Sequence, residues 1–410
     1  MIYLDNAATS FPKPPAVADA MTRFLANDAA NPGRAGHRMA VRAEQMLDDV
    51  RLKLARLINA PRPERVIFAM NCTDALNMAI KGVMAEVVGH NGARPHVVTS
   101  VLEHNSISRP LQAMAARGVI DLTRVACDTS GLVDPDDVKT AITPATVMIA
   151  LTHASNVVGT IQDAAAVGRI AREHELLFLL DAAQTAGVLP LDVEAMAVDL
   201  LAFPGHKSLL GPTGTGALYV GERCPEPAEA VAASHEAGQM NSAIARTHRL
   251  SPWREGGTGG DSATPTQPAL YPYYLEGGTP NTVGIAGLGA AVAGLDAGTI
   301  ARHLAHEQAL CQRLIDALAT DVRFTVHGPG EAQRCVGTVS LTVDGYEPSD
   351  VGSVLDDSFD IAVRPGLHCA PYMHRQMGTF PSGTVRVSPG PFNTEQEVDA
   401  LVEALRELVA

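Results

Sequence analysis

Cysteine is sparse and unpaired in this sequence. Six residues, at 72, 127, 224, 311, 335 and 369, are scattered with no Cys-x-x-Cys spacing. That excludes a dense disulfide framework and any zinc site legible from spacing, and it suits a reducing compartment, so a cytoplasmic protein with no bound metal is expected. Basic charge is in deficit: 31 Lys and Arg face 45 Asp and Glu, a formal net charge of −14. Neither a phosphate backbone nor an acidic lipid surface attracts such a chain, so no nucleic-acid or membrane partner is expected. No apolar run reaches the roughly 18 residues of a membrane-spanning helix. The opening MIYLDNAATS carries an acid where a secretory signal has its basic region, so no signal peptide is expected. Internal repeats and low-complexity tails are also missing.

What remains is an ordinary globular composition, 46% hydrophobic and 19% charged, over 410 residues, enough for two or three domains with a large core. Helical periodicity covers 16–27 and 40–59, with the polar loop NPGRAGH (31–37) between them. Strands and helices then alternate: strands at 66–70, 97–101, 146–152, 176–180, 200–203 and 217–220, with a helix at 75–83 after the first. This alternation predicts an α/β fold with a doubly wound, mostly parallel sheet. A long helical run at 284–295 follows the loops REGGTGG (254–260) and EGGTPNT (276–282). From 302 the pattern reads helix, strand, strand, helix, ending with 395–409, and predicts a smaller α+β domain from about 285 onward.

The stretch 176–207 organises the rest. Two short apolar runs, each reading as a strand buried on both faces, end in Asp181 and in Pro204-Gly205-His206-Lys207. Open α/β sheets bind ligands at the carboxyl ends of their strands. An acid and an amine on one rim suit a cofactor that needs a lysine Schiff base at its aldehyde and an acidic partner at its ring nitrogen, as pyridoxal 5′-phosphate (PLP) does. Thr73, His104, Asn156, Asp181 and Lys207 follow five successive strands and so share one edge. Thr73 stands where a strand turns into a helix, either as a phosphate contact or, like Asn71, as a plain helix cap. His104 either stacks on a flat ring or is a satisfied loop histidine. The run GPTGTG (211–216) lacks the Gly-Lys-Ser/Thr ending, and its lysine precedes it, so it is no nucleotide loop.

Near the C-terminus, Arg364-Pro-Gly-Leu-His368-Cys369 places one cysteine in a turn beside positive charge, which favours a nucleophilic thiolate. A zinc site from His368, Cys369 and His374 is the weaker rival, because the spacing matches no closed tetrahedral pattern. In TVRVS (384–388), Val385 and Val387 alternate with Arg386, which therefore points away from the core and suits bidentate capture of a carboxylate.

Taken in order, YLDNAAT, EHNS, THASNVVGT, DAAQTAG, FPGHK, GPTGTGALYV, REGGTG, EGGTPNT, RPGLHCA and TVRVSPGPFNT resemble the fold-type I, class V aminotransferase-like PLP enzymes across nearly the whole chain. Within them the likeness is specifically to cysteine desulfurases and selenocysteine lyases, and the Arg-x-Gly-x-His-Cys arrangement resembles the group II kind. The resemblance implies a large PLP-binding domain (15–284) with a mostly parallel seven-stranded sheet, and a small domain from 1–14 and 285–410. It implies a PLP-dependent cysteine desulfurase that converts L-cysteine to L-alanine, mobilising sulfur of the kind used in iron–sulfur cluster assembly. The alternatives are a selenocysteine lyase or other class V lyase, and a non-catalytic PLP-binding scaffold.

By the same resemblance Lys207 carries the cofactor and shuttles a proton. Asp181 pairs with the ring nitrogen, Gln184 bonds the ring hydroxyl, and His104 stacks on the ring and joins Lys207 and Cys369 as a catalytic residue in acid–base steps. Thr73, Cys72 and His206 lie at the cofactor, joined by Thr279 from the other subunit of a homodimer. Asn156 and Arg386 hold the substrate carboxylate, with Arg364 and Arg34 lining the pocket. Cys369 attacks the substrate sulfur and passes it to an acceptor protein. The chain departs from the family in having Pro204 where a serine is common, and in a long segment at 224–250.

Overall fold

The computed structural model describes residues 1–33, 36–87, 94–227, 248–259, 263 and 265–410. Arg34, most of the 224–250 segment and the end of REGGTGG lie outside them.

A central seven-stranded sheet runs in the order β2 (Val66–Ala69), β8 (Gly216–Val220), β7 (Leu200–Pro204), β6 (Leu177–Asp181), β5 (Thr146–Thr152), β3 (His96–Ser100) and β4 (Asp121–Val125). All neighbours are parallel except β8, which is antiparallel to both β2 and β7. Because both antiparallel contacts belong to β8, β2 regains the direction of β7, and the carboxyl ends of β2, β3, β5, β6 and β7 meet on one edge, as expected. The apolar strands are buried throughout, whereas β4 at the rim is partly exposed. DLTRV therefore lacks the unbroken apolar run by which the other strands were recognised.

One face of the sheet packs on α3 (Cys72–Val87) and α4 (Asn105–Ala116), through Leu76, Ile80, Ile107 and Leu111. The other packs on α2 (Arg38–Leu57), α5 (Pro135–Thr140) and α6 (Ala164–Glu173), through Leu54, Val138 and Val167. The helix Thr282–Val292 (α7) joins this second face: Ile285, Leu288 and Val292, with Leu295 after it, belong to the same core, and α7 lies against α1 (Pro15–Asn27). A division at 284/285 would cut that helix. The change of core falls instead after Leu295.

A second core gathers Leu310, Leu341, Val385 and Leu401 with Leu4. It is built from α8 (Ala297–Leu318), α9 (Pro348–Phe359) and α11 (Glu395–Leu408) around the sheet β12 (Arg364–Gly366), β13 (Thr384–Val387), β10 (Val339–Val343) and β9 (Phe324–His327). The short β1 (Ile2–Tyr3) pairs with β11 (Ile361–Ala362), and α10 (Pro371–Met377) follows β12. The interleaving is richer than helix, strand, strand, helix, because β11, β12 and α10 are each too short to show a period.

Candidate active site

The strand ends surround a cavity of about 240 Å³. Its lining includes Cys72, Thr73, His104, Asn156, Asp181, Gln184, His206, Lys207, Arg364 and Arg386.

Asp181 closes β6 and is 2% exposed, its Oδ1 accepting hydrogen bonds from the Ala183 amide (2.9 Å) and the Cys72 thiol (3.4 Å). Burial raises its pKa above the ordinary carboxylate value, opposed by those bonds and by the Lys207 charge. Lys207 follows β7. Burial lowers its pKa, Asp181 works against that, and Arg386 and Arg364 add to it. Glu103, fully buried beside them, is pushed up to about 8 by desolvation and so stays protonated at neutral pH, its Oε1 accepting from the Ser100 hydroxyl at 2.6 Å. A second buried negative charge next to Asp181 is thereby avoided.

Two helix starts face the same space. Asn71 caps α3, its Oδ1 accepting from the Asp74 amide (2.9 Å), while the Thr73 hydroxyl lies 2.7 Å from Ser106 Oγ. The cap role and the pocket role are thus divided between Asn71 and Thr73. The first amides of a helix have no partner within it and offer donors to an anion. His104 caps α4, its Nδ1 accepting from the Ser106 amide at 3.1 Å. Its pKa is lowered to about 4, chiefly by burial and then by Lys207, Arg364 and Arg386. The ring is therefore neutral, with its proton on Nε2. His206 is also lowered to about 4, by burial and by Lys207 and Lys13, and its buried Nδ1 has no partner among the described residues.

The N-terminal strap closes the site. Gln184 donates from Nε2 to the Ala7 carbonyl (3.1 Å), which leaves its carbonyl oxygen as the remaining acceptor. Lys13, whose pKa burial lowers to about 8, donates to the His206 carbonyl at 2.7 Å. Asp5 Oδ1 accepts from Arg386 at 2.7 Å, and its other oxygen lies 3.9 Å from Arg364. Arg386 is 2% exposed. It donates a second bond to the Asn156 carbonyl (3.0 Å), and its buried Nε has no partner among the described residues. Sequence reasoning did not single out Asp5, Lys13, Ser106 or Glu103, although Asp5, Glu103 and Ser106 stand inside the motifs YLDNAAT and EHNS.

Cys369 reaches the site from the small domain. It and His368 both adopt positive φ, 60° and 48°, a costly pair for residues with a Cβ. The large domain pins both carbonyls: the Asn156 side chain donates to His368 O at 2.6 Å and the Asn105 amide to Cys369 O at 2.7 Å. The amide of Asn156 is thus engaged by backbone. Cys369 is exposed and lines an adjoining groove that shares Thr73, His104 and Ser106 with the main cavity. Thr279 lies outside both. It lines a separate cleft with Tyr273 and Glu276, where Glu276 is tied to Arg51 at 2.9 Å. Arg34 is outside the described residues. No group of three or more His, Cys, Asp or Glu among the described residues is arranged to hold a metal ion.

Residues 2–401 match the family model described as aminotransferase class-V. A probable cysteine desulfurase of Methanothermobacter thermautotrophicus is 33% identical over 408 residues, 99% of this chain and 94% of that protein. A cysteine desulfurase of Klebsiella pneumoniae is 32% identical, over 100% of this chain and 93% of its own. Among solved structures, the apo cysteine desulfurase of Thermococcus onnurineus superposes with a TM-score of 0.87 at 30% identity, covering 100% of this chain and 94% of that one. An Escherichia coli cysteine desulfurase in an S-sulfonic acid form gives 0.80 at 30% identity, over 99% and 94%.

Proposed function

The chain belongs to the aminotransferase class-V family, and we propose that it is a PLP-dependent cysteine desulfurase converting L-cysteine to L-alanine and a persulfide on Cys369. The observation that carries this reading is one cavity lined by a buried acid, a lysine, neutral histidines and a buried arginine, with an exposed cysteine in the groove that adjoins it.

The donor set fits the cofactor. His206 Nδ1 is an orphaned buried atom facing the same space as the first turn of α3, which suits a phosphate. When bound, PLP supplies an aldehyde that captures an amine and a ring that takes up the electron pair released at the substrate α-carbon. Asp181 would hold a proton at the ring nitrogen, a task for a carboxylate shielded from water. Lys207, with its pKa lowered, loses its proton more readily than a surface lysine and so serves as both nucleophile and proton carrier. His104 presents a neutral face for stacking, and Gln184 an acceptor for the ring hydroxyl. Arg386 offers its free Nε edge to the substrate carboxylate.

The Cys369 thiolate attacks the substrate sulfur. An Sγ–S bond forms, the substrate C–S bond breaks, and alanine leaves after protonation. Thr279 lines neither the cavity nor the groove of its own chain, which supports a homodimer in which each copy completes the other's phosphate site. A thiol on an acceptor protein in the cytoplasm then takes the sulfur.

The test is to incubate the pure protein with cysteine and quantify alanine and protein-bound persulfide. Cys369→Ala should lose both by more than a hundredfold while keeping the cofactor's absorbance. Full activity in that variant sinks the assignment.

A further inference from the structure

The groove that ends at Cys369 is positively charged on a strongly acidic chain. It measures about 450 Å³ and lies between α3 and α4, and its charged lining residues are Lys81, Arg109 and Arg117, with no acid among them. The chain as a whole carries −14. Charges beyond about 8 Å are screened at physiological ionic strength, so a bound segment feels these three cations rather than the net charge. Arg109 is exposed on α4 and Arg117 is exposed just past its end. Lys81, on α3, is held over the Trp253 ring at 4.1 Å. From Asn105, whose amide holds the Cys369 carbonyl, to Arg117 the helix rises about 18 Å, the span of five or so extended residues. A lone small thiol touches only one end of such a path, whereas a peptide segment covers it.

We propose that this groove receives an acidic, thiol-bearing segment of an acceptor protein, its cysteine at Cys369 and its carboxylates along Lys81, Arg109 and Arg117. The proposal rests on the desulfurase reading above and names the partner chemistry of that site. In the transfer itself, the acceptor thiolate attacks the outer sulfur of the Cys369 persulfide. A new S–S bond forms on the acceptor, the Sγ–S bond breaks, and Cys369 departs as a thiolate that regains the acceptor's proton. One sulfane sulfur moves and no external oxidant or reductant is consumed. The cations act on encounter and register, where steering of this kind raises association rates about 10- to 1,000-fold.

The probes are two synthetic heptapeptides, each with one cysteine followed by alternating glycine and either glutamate or lysine. Holoenzyme preloaded with cysteine is mixed with each at 0.15 M salt, and persulfide transfer is timed. Each rate is divided by that peptide's rate with a small disulfide, which removes the effect of neighbouring charge on thiol reactivity. The glutamate peptide is expected to react at least tenfold faster, and the advantage to vanish at 1 M salt. Lys81→Gln/Arg117→Glu is expected to erase it while alanine release with dithiothreitol as acceptor stays unchanged. Equal rates for the two peptides, no transfer to either, or an advantage that survives the double variant overturns the groove proposal. Wild-type enzyme that releases no alanine with dithiothreitol overturns the desulfurase reading beneath it.

Discussion

Arg386 keeps its charge where water scarcely reaches, and the group that makes this tolerable is Asp5, 381 residues away in sequence. Burial lowers the arginine's pKa, and the Asp5 carboxylate acts in the opposite sense. Breaking a buried pair by removing one member leaves the other uncompensated. Since Asp5 is partly exposed, Asp5→Ala should cost about 1–2 kcal/mol of stability in a thermal melt. It should also raise KM for cysteine several-fold with a smaller change in kcat, because a guanidinium free to turn binds a carboxylate less well. Asp5→Asn, which keeps an acceptor oxygen, should recover most of the KM, and an unchanged KM in Asp5→Ala would refute the positioning role. Arg386 itself was legible because strand alternation turns it away from Val385 and Val387. Asp5 was not, since nothing local distinguishes it from any acid in a turn.

At the scale of elements, the Cys369 loop depends on how closely β12 and β13 approach. Gly383 has φ of 87°, and a Cβ there would sit 2.1 Å from the Gly366 carbonyl oxygen. No rotamer relieves a backbone collision, so Gly383→Ala must push apart the strands that lead into His368 and Cys369. The expected result is a desulfuration rate at least tenfold lower, with cofactor absorbance near wild type because Asp181 and Lys207 stand on the other sheet. Loss of both together would show that the two sheets are coupled. The strands of the large sheet were legible as apolar runs bounded by polar residues. The edge strand β4 and the fragments β11, β12 and α10 were not, because edge exposure and shortness remove the periodic signal.

For the whole molecule, buried titratable groups set an acid limb and an alkaline limb of stability. Burial lowers His104, His153, His206 and His374 to about 4 and His368 to about 3. The unfolded chain binds protons at these sites below about 6.5. Their contribution is therefore present above that pH and is lost as pH falls toward 4. Glu103 and Glu307 are pushed up to about 8, so the unfolded chain ionises there first, and stability is lost as pH rises from about 4.5 toward 8. Asp181 and Asp199, also raised by burial, act in the same sense as the glutamates. With these five histidines, and His96, His248, His303 and His327 lowered by burial in the same sense, against two to four acids, the thermal midpoint should peak between about pH 6 and 7, which a melt series across pH 4.5–8.5 reads directly. A midpoint that climbs steadily to pH 8.5 would count against the buried neutral glutamates.

The sequence by itself determined the parallel sheet, the edge on which its polar strand ends collect, and the candidates Lys207, Asp181, Cys369 and Arg386. Cys369 follows from a turn beside positive charge, and the others from a local period or from a residue standing just past one. The tertiary structure alone decided which charges neutralise one another, which carbonyls hold the left-handed pair at His368 and Cys369, and that α7 belongs with the large sheet. Those outcomes come from contacts between segments far apart in the chain, and no local pattern encodes the distance at which two side chains will meet.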